Sequence, residues 1–150
     1  MNETVFLTVF SGAVTFVIGQ LVVKLVIDPV QEMKKTIAQV SHTMIERANI
    51  IGNPGVPSAE VMDETSRELR KLSSQLRAHL YLVPAYRSTA RIFFLPKIDQ
   101  VLAAAGALIG LSNSVFRATG NIYEANAKRV EMVCDSLGIY LEDDARLPKD

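Results

Sequence analysis

Residues 4–23 of this 150-residue chain form a run of twenty amino acids without a charged side chain. The run reads TVFLTVFSGAVTFVIGQLVV. Because a helix of about 20 apolar residues spans the hydrocarbon core of a bilayer, we predict a transmembrane anchor over residues 1–27. The alternative is a buried helix of a soluble bundle, since Thr, Ser, Gly and Gln20 dilute the run.

The residues on either side of the run predict that it remains in the mature protein and in which direction it crosses the membrane. The leader, Met1-Asn2-Glu3, has no basic residue, and no A-x-A-like site closes the run, so we do not expect a cleaved signal peptide. Lys24, Lys34 and Lys35 follow it. Positive charge prefers the cytoplasmic side, so we predict an outside N-terminus and a cytoplasmic domain.

One face of the run carries small and polar residues. They recur at spacings of four, three and four, which places them on one side of a helix: Thr8, Gly12, Thr15 and Gly19. Small residues let helices approach closely in lipid. We therefore predict a helix-association face for self-assembly or a membrane-protein partner. Ordinary composition is the alternative, since glycine is common in membrane spans.

The remaining chain shows helical periodicity and predicts an all-α domain over 28–141. Asp28-Pro29 indicates a helix start or a kink, and the cluster over 52–57 is a break before a helix that Ser58 caps. Apolar stripes mark three helices: Val30, Met33, Ile37, Val40, Met44, Ala48 and Ile51; Met62, Thr65, Leu69, Leu72, Leu76, Leu80 and Val83; and Ile122, Ala125, Val130, Val133, Cys134 and Leu137.

A fourth apolar segment completes a helical hairpin or four-helix bundle-like domain. Residues 98–116 are apolar but short for a span, and we favour a helix buried in the bundle over a second membrane crossing. Residues 142–150 are polar and read as a flexible tail.

Helix lengths suggest where the segment 84–95 lies. A helix of about 23 residues extends some 34 Å, and the next returns by a similar distance. If the two pair antiparallel, the segment arrives back at the bilayer. Its surroundings are rich in aromatic and basic residues, which favour a membrane interface: Tyr81, Tyr86, Arg87, Arg91, Phe93 and Phe94. The alternative is a short connecting helix packed on the bundle.

Composition narrows the chemistry. The formal net charge is zero, so nothing global favours nucleic acid. Seven of the eight charged residues over 67–97 are basic, and they either face anionic lipid or pair with acids of neighbouring helices. His42, His79 and the single Cys134 lack zinc-site spacing. We therefore expect no metal, no cofactor and no catalytic activity.

Three strings together resemble small bacterial membrane-anchored proteins of uncharacterised function. They are Ile27-Asp28-Pro29-Val30-Gln31, Leu69-Arg70-Lys71-Leu72 and Gly110-Leu111-Ser112-Asn113-Ser114. The resemblance implies a bacterial inner-membrane location. It implies no activity and transfers no functional residue.

Together these features predict a single-pass, membrane-anchored helical scaffold that assembles with itself or with a membrane partner. A lipid-sensing or membrane-shaping protein that uses the basic-aromatic segment is the first alternative. A subunit of a membrane transport or pore complex is the second, suggested by Gln20 on the polar side of the span. An enzyme would need a site that the sequence does not reveal.

Overall fold

The computed structural model describes residues 2–118, 120–142 and 146. These residues contain helices and no strand, as the all-α prediction required. The helices are α1 (Glu3–Val22), a π-helical segment (Val23–Ile27), α2 (Asp28–Glu46), α3 (Ala48–Gly52), α4 (Ala59–Leu82), α5 (Tyr86–Phe93), α6 (Ile98–Ser114) and α7 (Ile122–Leu137).

Helices α1 and α2 are one uninterrupted helix, Glu3–Glu46, which corrects the prediction of a start or kink at Asp28-Pro29. A proline inside a helix lacks an N–H, and its ring clashes with the carbonyl four residues earlier. Here the preceding turn widens to π geometry, and the Asp28 amide donates to the carbonyl of Val23. Asp28 caps nothing; its carboxylate pairs with Lys24 at 3.0 Å.

The apolar window of α1 is long and apolar enough to cross a membrane, and none of it is buried by the other residues that the structure describes. Helices α5 and α6 together pass the same test only as a pair bent by 90°. Eight residues of α6 are buried, among them Val101, Leu108 and Leu111. Residues 98–114 therefore lie inside the helical domain, as the sequence favoured.

Helix α4 runs antiparallel to α2, and polar contacts define the register. Arg47 at the end of α2 donates to Glu64 at 3.1 Å and to Glu68 at 3.2 Å. Thr43 also donates to Glu68, at 3.0 Å. Thr36, nearer the start of α2, lies 2.9 Å from His79, near the end of α4. The predicted stripes of both helices contribute most of their members to the core.

Helix α6 packs between α4 and α7. Ser73 of α4 donates to the carbonyl of Ala105 at 2.8 Å. Ser114 donates to Asn126 of α7 at 2.6 Å, and Asn126 donates to the carbonyl of Ile51 in α3 at 3.0 Å. These contacts are compatible with the predicted bundle. Most of the predicted tail lies outside the described residues, but Arg146 donates to Asp135 of α7 at 3.0 Å.

The loop between α3 and α4 contains a glycine with a structural role. Gly55 has a φ of 78°, and its amide donates to the carbonyl of Val115 at 2.8 Å. A Cβ at this position would lie 2.9 Å from the Cβ of Ala118. Gly52, three residues earlier, is helical and has no atom within 4 Å of a built Cβ.

We expect Gly55→Ala to destabilise the domain by about 1–2 kcal/mol, because alanine resists positive φ and its methyl meets Ala118. Gly52→Ala is the matched control and should be neutral or stabilising by up to about 1 kcal/mol. Thermal unfolding of the two variants in detergent measures the difference. Equal effects would contradict the assigned loop geometry.

Candidate membrane interface

The antiparallel register brings the end of α4 back to the start of α2. His79 lies opposite Thr36, so continuing the register places Pro84 beside the first turn of α2. Helix α2 continues α1 without a break. Helix α5 therefore lies at the end of the domain nearest the apolar helix, where the lengths of the predicted helices had placed it.

Left-handed residues bracket α5. Ala85 before it has a φ of 45°, and Phe94 after it has a φ of 55°. Thr89 donates its hydroxyl to the carbonyl of Pro84 at 2.7 Å, and the amide of Leu95 donates to Ala90 at 2.9 Å. The chain thus turns sharply at both ends of an eight-residue helix.

One face of α5 packs into the domain. Its buried residues are Tyr86, Thr89 and Ala90, and Phe93 packs partly against the core. The Tyr86 hydroxyl donates to the carbonyl of Pro96 at 2.8 Å, and burial raises the pKa of this phenol to about 12. Tyr86 and Phe93, both predicted interface residues, therefore lie on the domain side of α5.

Four large apolar side chains near α5 are exposed. We call this set the apolar tip: Tyr81 (90% exposed), Leu82 (61%), Ile92 (68%) and Phe94 (93%). Tyr81 and Phe94 were predicted from the sequence as interface residues. Leu82 and Ile92 were not predicted. For Ile92 the sequence holds a signal, because it lies four residues after the polar Ser88 and therefore on the same exposed face of α5.

The direction of α5 follows from its neighbours. It makes an angle of 90° with α6. Helix α6 packs on α4, and α4 packs on α2, so α5 turns away from the helices that form the bundle.

Arg87 and Arg91 of α5 have no acidic residue within one helical turn. Residues 69–98 contain no Asp or Glu. Among the described residues, Arg87, Arg91 and Lys97 form no ion pair. Within the basic stretch 67–97, Arg67 pairs with Asp63 at 2.8 Å, and the other six basic residues form no ion pair among the described residues. Arg87, Arg91 and Lys97 belong to this unpaired group.

A groove of about 760 Å³ separates α5 from the start of α6. Arg87, Arg91 and Lys97 line it together with Phe94 and Leu102. Asp99 is the only acid among its lining residues. The groove therefore combines apolar and cationic walls at the end of the domain nearest α1.

The predicted association face lies on an exposed helix. Thr8, Gly12, Thr15 and Gly19 are all exposed. The Thr8 hydroxyl donates to the carbonyl of Thr4 at 2.8 Å, and a Cβ at Gly12 or Gly19 would meet no atom within 4 Å. No contact within the described chain accounts for either glycine. The association role stays a prediction.

The residues considered from the sequence as possible metal ligands lie apart from one another. His42 is exposed and lies 3.5 Å from Glu46. Cys134 is buried in α7, and burial raises the pKa of its thiol. Among the residues that the structure describes, no group of three or more His, Cys, Asp or Glu side chains could hold a metal ion.

His79 occupies the α2–α4 contact and is 8% exposed. The Thr36 hydroxyl donates to the carbonyl of Glu32, so the Nε2–H of His79 donates to Thr36. The Nδ1 atom is buried and has no hydrogen-bond partner among the described residues. Burial lowers the pKa of His79, against a smaller opposing effect of Glu32.

Comparison of the chain with protein-family models, with curated proteins and with solved structures finds no match.

We expect the stability of the domain to fall as the pH drops below about 6.5, the ordinary histidine value. The unfolded chain then binds a proton at position 79 that the folded domain excludes until its lower pKa is reached. One histidine changes the free energy of unfolding by at most about 1.4 kcal/mol per pH unit. Well above pH 6.5 this pH dependence disappears, because His79 is neutral in both the folded and the unfolded state.

Thermal unfolding of His79→Gln between pH 5 and 8 tests this. The variant should show a smaller acid loss than the unmodified protein. His42→Gln is the matched control, because it leaves the His79 contribution in place. Identical pH profiles for the unmodified protein and His79→Gln would rule out the effect.

Proposed function

We propose that this protein is a non-catalytic, membrane-anchored helical module that lies against the lipid surface through its apolar tip. In this proposal α1 spans the membrane and α5 lies in the interface. The remaining surface of the domain stays available to protein partners. Lys24, Lys34 and Lys35 favour the cytoplasmic side for the domain.

The observation that carries the proposal is the position of α5. It lies level with the start of α2, turns by 90° from α6 and leaves Ile92 and Phe94 exposed. Fully burying an apolar side chain of this size contributes about 1.5–3 kcal/mol. Two such side chains would hold a domain already tethered by α1, because tethering removes much of the entropy loss of docking.

Phe94 adds support. A non-glycine residue in the left-handed region costs about 1–2 kcal/mol, and helices that end this way commonly use glycine. The Phe94 side chain is 93% exposed, so packing within the domain does not offset this cost. Insertion of the ring into the headgroup region of a membrane would offset this cost.

The experiment places an environment-sensitive fluorophore at Ile92→Cys in the full chain, reconstituted in lipid vesicles. Val56→Cys is the matched control, since Val56 is 73% exposed in the loop at the opposite end of the domain. The native thiol, Cys134, is 2% exposed and should label slowly. We expect lipid-attached quenchers to quench the label at 92 and not the label at 56. Full aqueous exposure of the label at 92 would refute the proposal.

Phe94→Gly sharpens the test, because its two expected effects have opposite signs. It relieves the backbone and should raise stability in detergent by about 1 kcal/mol. It also removes the ring and should weaken quenching of a label at position 92. A purely structural Phe94 would instead destabilise the domain on removal.

A second candidate function is assembly through α1. Gly12 and Gly19 are interior to a helix in which each glycine costs about 1 kcal/mol against alanine. Their α-carbons are open to approach, and no contact within the described chain explains them. Close packing against another membrane helix would use both positions.

We expect Gly12→Leu or Gly19→Leu to reduce association of the full chain in a membrane reporter assay. A Cβ at either position meets no atom within 4 Å in the described part of the chain, so a reduced signal reports contact between chains. An unchanged signal from both variants would remove α1 as an assembly surface and leave the interfacial role of α5 untouched.

A further inference from the structure

The groove between α5 and α6 has walls of two chemical kinds. Phe94 and Leu102 expose apolar surface to it, and Arg87, Arg91 and Lys97 place three cationic groups around it. A ligand that complements both walls is amphiphilic and anionic. The volume of about 760 Å³ lies within the range of small-molecule sites in proteins.

The cations are available for a ligand. Arg87 and Arg91 are four residues apart on α5, and like charges at this spacing repel each other. No described acid pairs with them, and the acid-free stretch 69–98 offers none nearby in sequence. An anion between them would offset the repulsion, and guanidinium groups bind phosphate in bidentate geometry.

The start of α6 adds to the positive potential. Lys97 precedes the first turn, and its backbone amide already donates to Gln100 at 2.8 Å. The backbone amides of the first turn of α6 have no partner within the helix, and they form the positive end of its dipole beside the groove. Asp99 lines the same groove and offsets part of this charge, so three basic groups face one acid.

We propose that the α5–α6 groove binds one anionic phospholipid of the membrane that holds α1. The phosphate would lie among Arg87, Arg91 and Lys97, and an acyl chain would cover Phe94 and Leu102. This inference rests on the proposed function, since α5 must lie at the lipid surface to meet such a ligand. It adds a discrete site of defined charge to a general interfacial contact.

The test uses the full chain in phosphatidylcholine nanodiscs that contain about a tenth phosphatidylglycerol, with native mass spectrometry after release to count bound lipid. We expect one phosphatidylglycerol to remain bound in preference to phosphatidylcholine. Each basic residue at an anionic lipid surface contributes about fivefold in affinity. The double variant Arg87→Gln/Arg91→Gln should therefore lower selective retention by about 30-fold.

The matched control is Lys34→Gln/Arg77→Gln, which removes the same charge. Lys34 and Arg77 are exposed on α2 and α4, form no ion pair among the described residues and do not line the groove. Retention should fall by much less than in the first double variant, because both residues lie outside the groove and attraction to an anionic surface decays within a Debye length. An equal loss in both double variants would mean diffuse surface attraction, and the discrete site would be wrong.

Two further arms complete the test. Leu102→Ser should weaken retention of phosphatidylglycerol, while millimolar inorganic phosphate should not displace it, because the acyl contact is part of binding. Displacement by phosphate would overturn the lipid assignment.

The quenching experiment at position 92 separates the two proposals. Quenching without selective retention rejects the groove and keeps the interfacial role. Absence of quenching rejects the interfacial role, and the lipid site with it.

Discussion

The antiparallel pairing of α2 with α4 is the interaction on which the rest of the structure depends. Because α2 extends α1 without a break, the domain grows outward along the axis of the apolar helix. Pairing through the buried stripes, with Arg47–Glu68 at one end and Thr36–His79 at the other, returns the chain to its starting level. This return places α5 beside the start of α2, and it leaves Ile92 and Phe94 exposed near the end of the apolar helix.

The positions of acidic residues along the helices decide which basic side chains form ion pairs. Most ion pairs are local, between residues three or four apart on one helix, as for Lys24 with Asp28 and Lys128 with Glu124. Such pairs need an acid within one turn. The acid-free stretch 69–98 denies this to Arg87 and Arg91, so their charge remains available to an external anion. The apolar tip and the three unpaired cations Arg87, Arg91 and Lys97 therefore lie at the same end of the domain, a combination that an anionic lipid surface attracts.

Periodicity predicted most of the helices because burial imposes it. Met33, Val40, Leu69 and Leu76, assigned to stripes, are all fully buried, and Ser58 accepts a hydrogen bond from Val61 as the predicted cap. Prediction from the sequence failed where the same residues are compatible with two local structures. Asp28-Pro29 has the residues of a helix start, but a single widened turn lets the helix continue. In α5, eight residues are too few for a pattern to show which aromatic side chains face inward, so Tyr86 and Phe93 could not be separated from Phe94.

The sequence alone determined the apolar helix, the helical class of the domain and the acid-free stretch 69–98, because each depends on residue type and spacing along the chain. The tertiary structure decided which side chains of α5 are exposed, that α5 turns by 90° from α6, and that Lys97 and Leu102 complete a groove with Arg87 and Arg91. These properties depend on how α4 and α6 pack, and residues up to fifteen positions apart meet only after the chain has turned at Ala85 and Phe94.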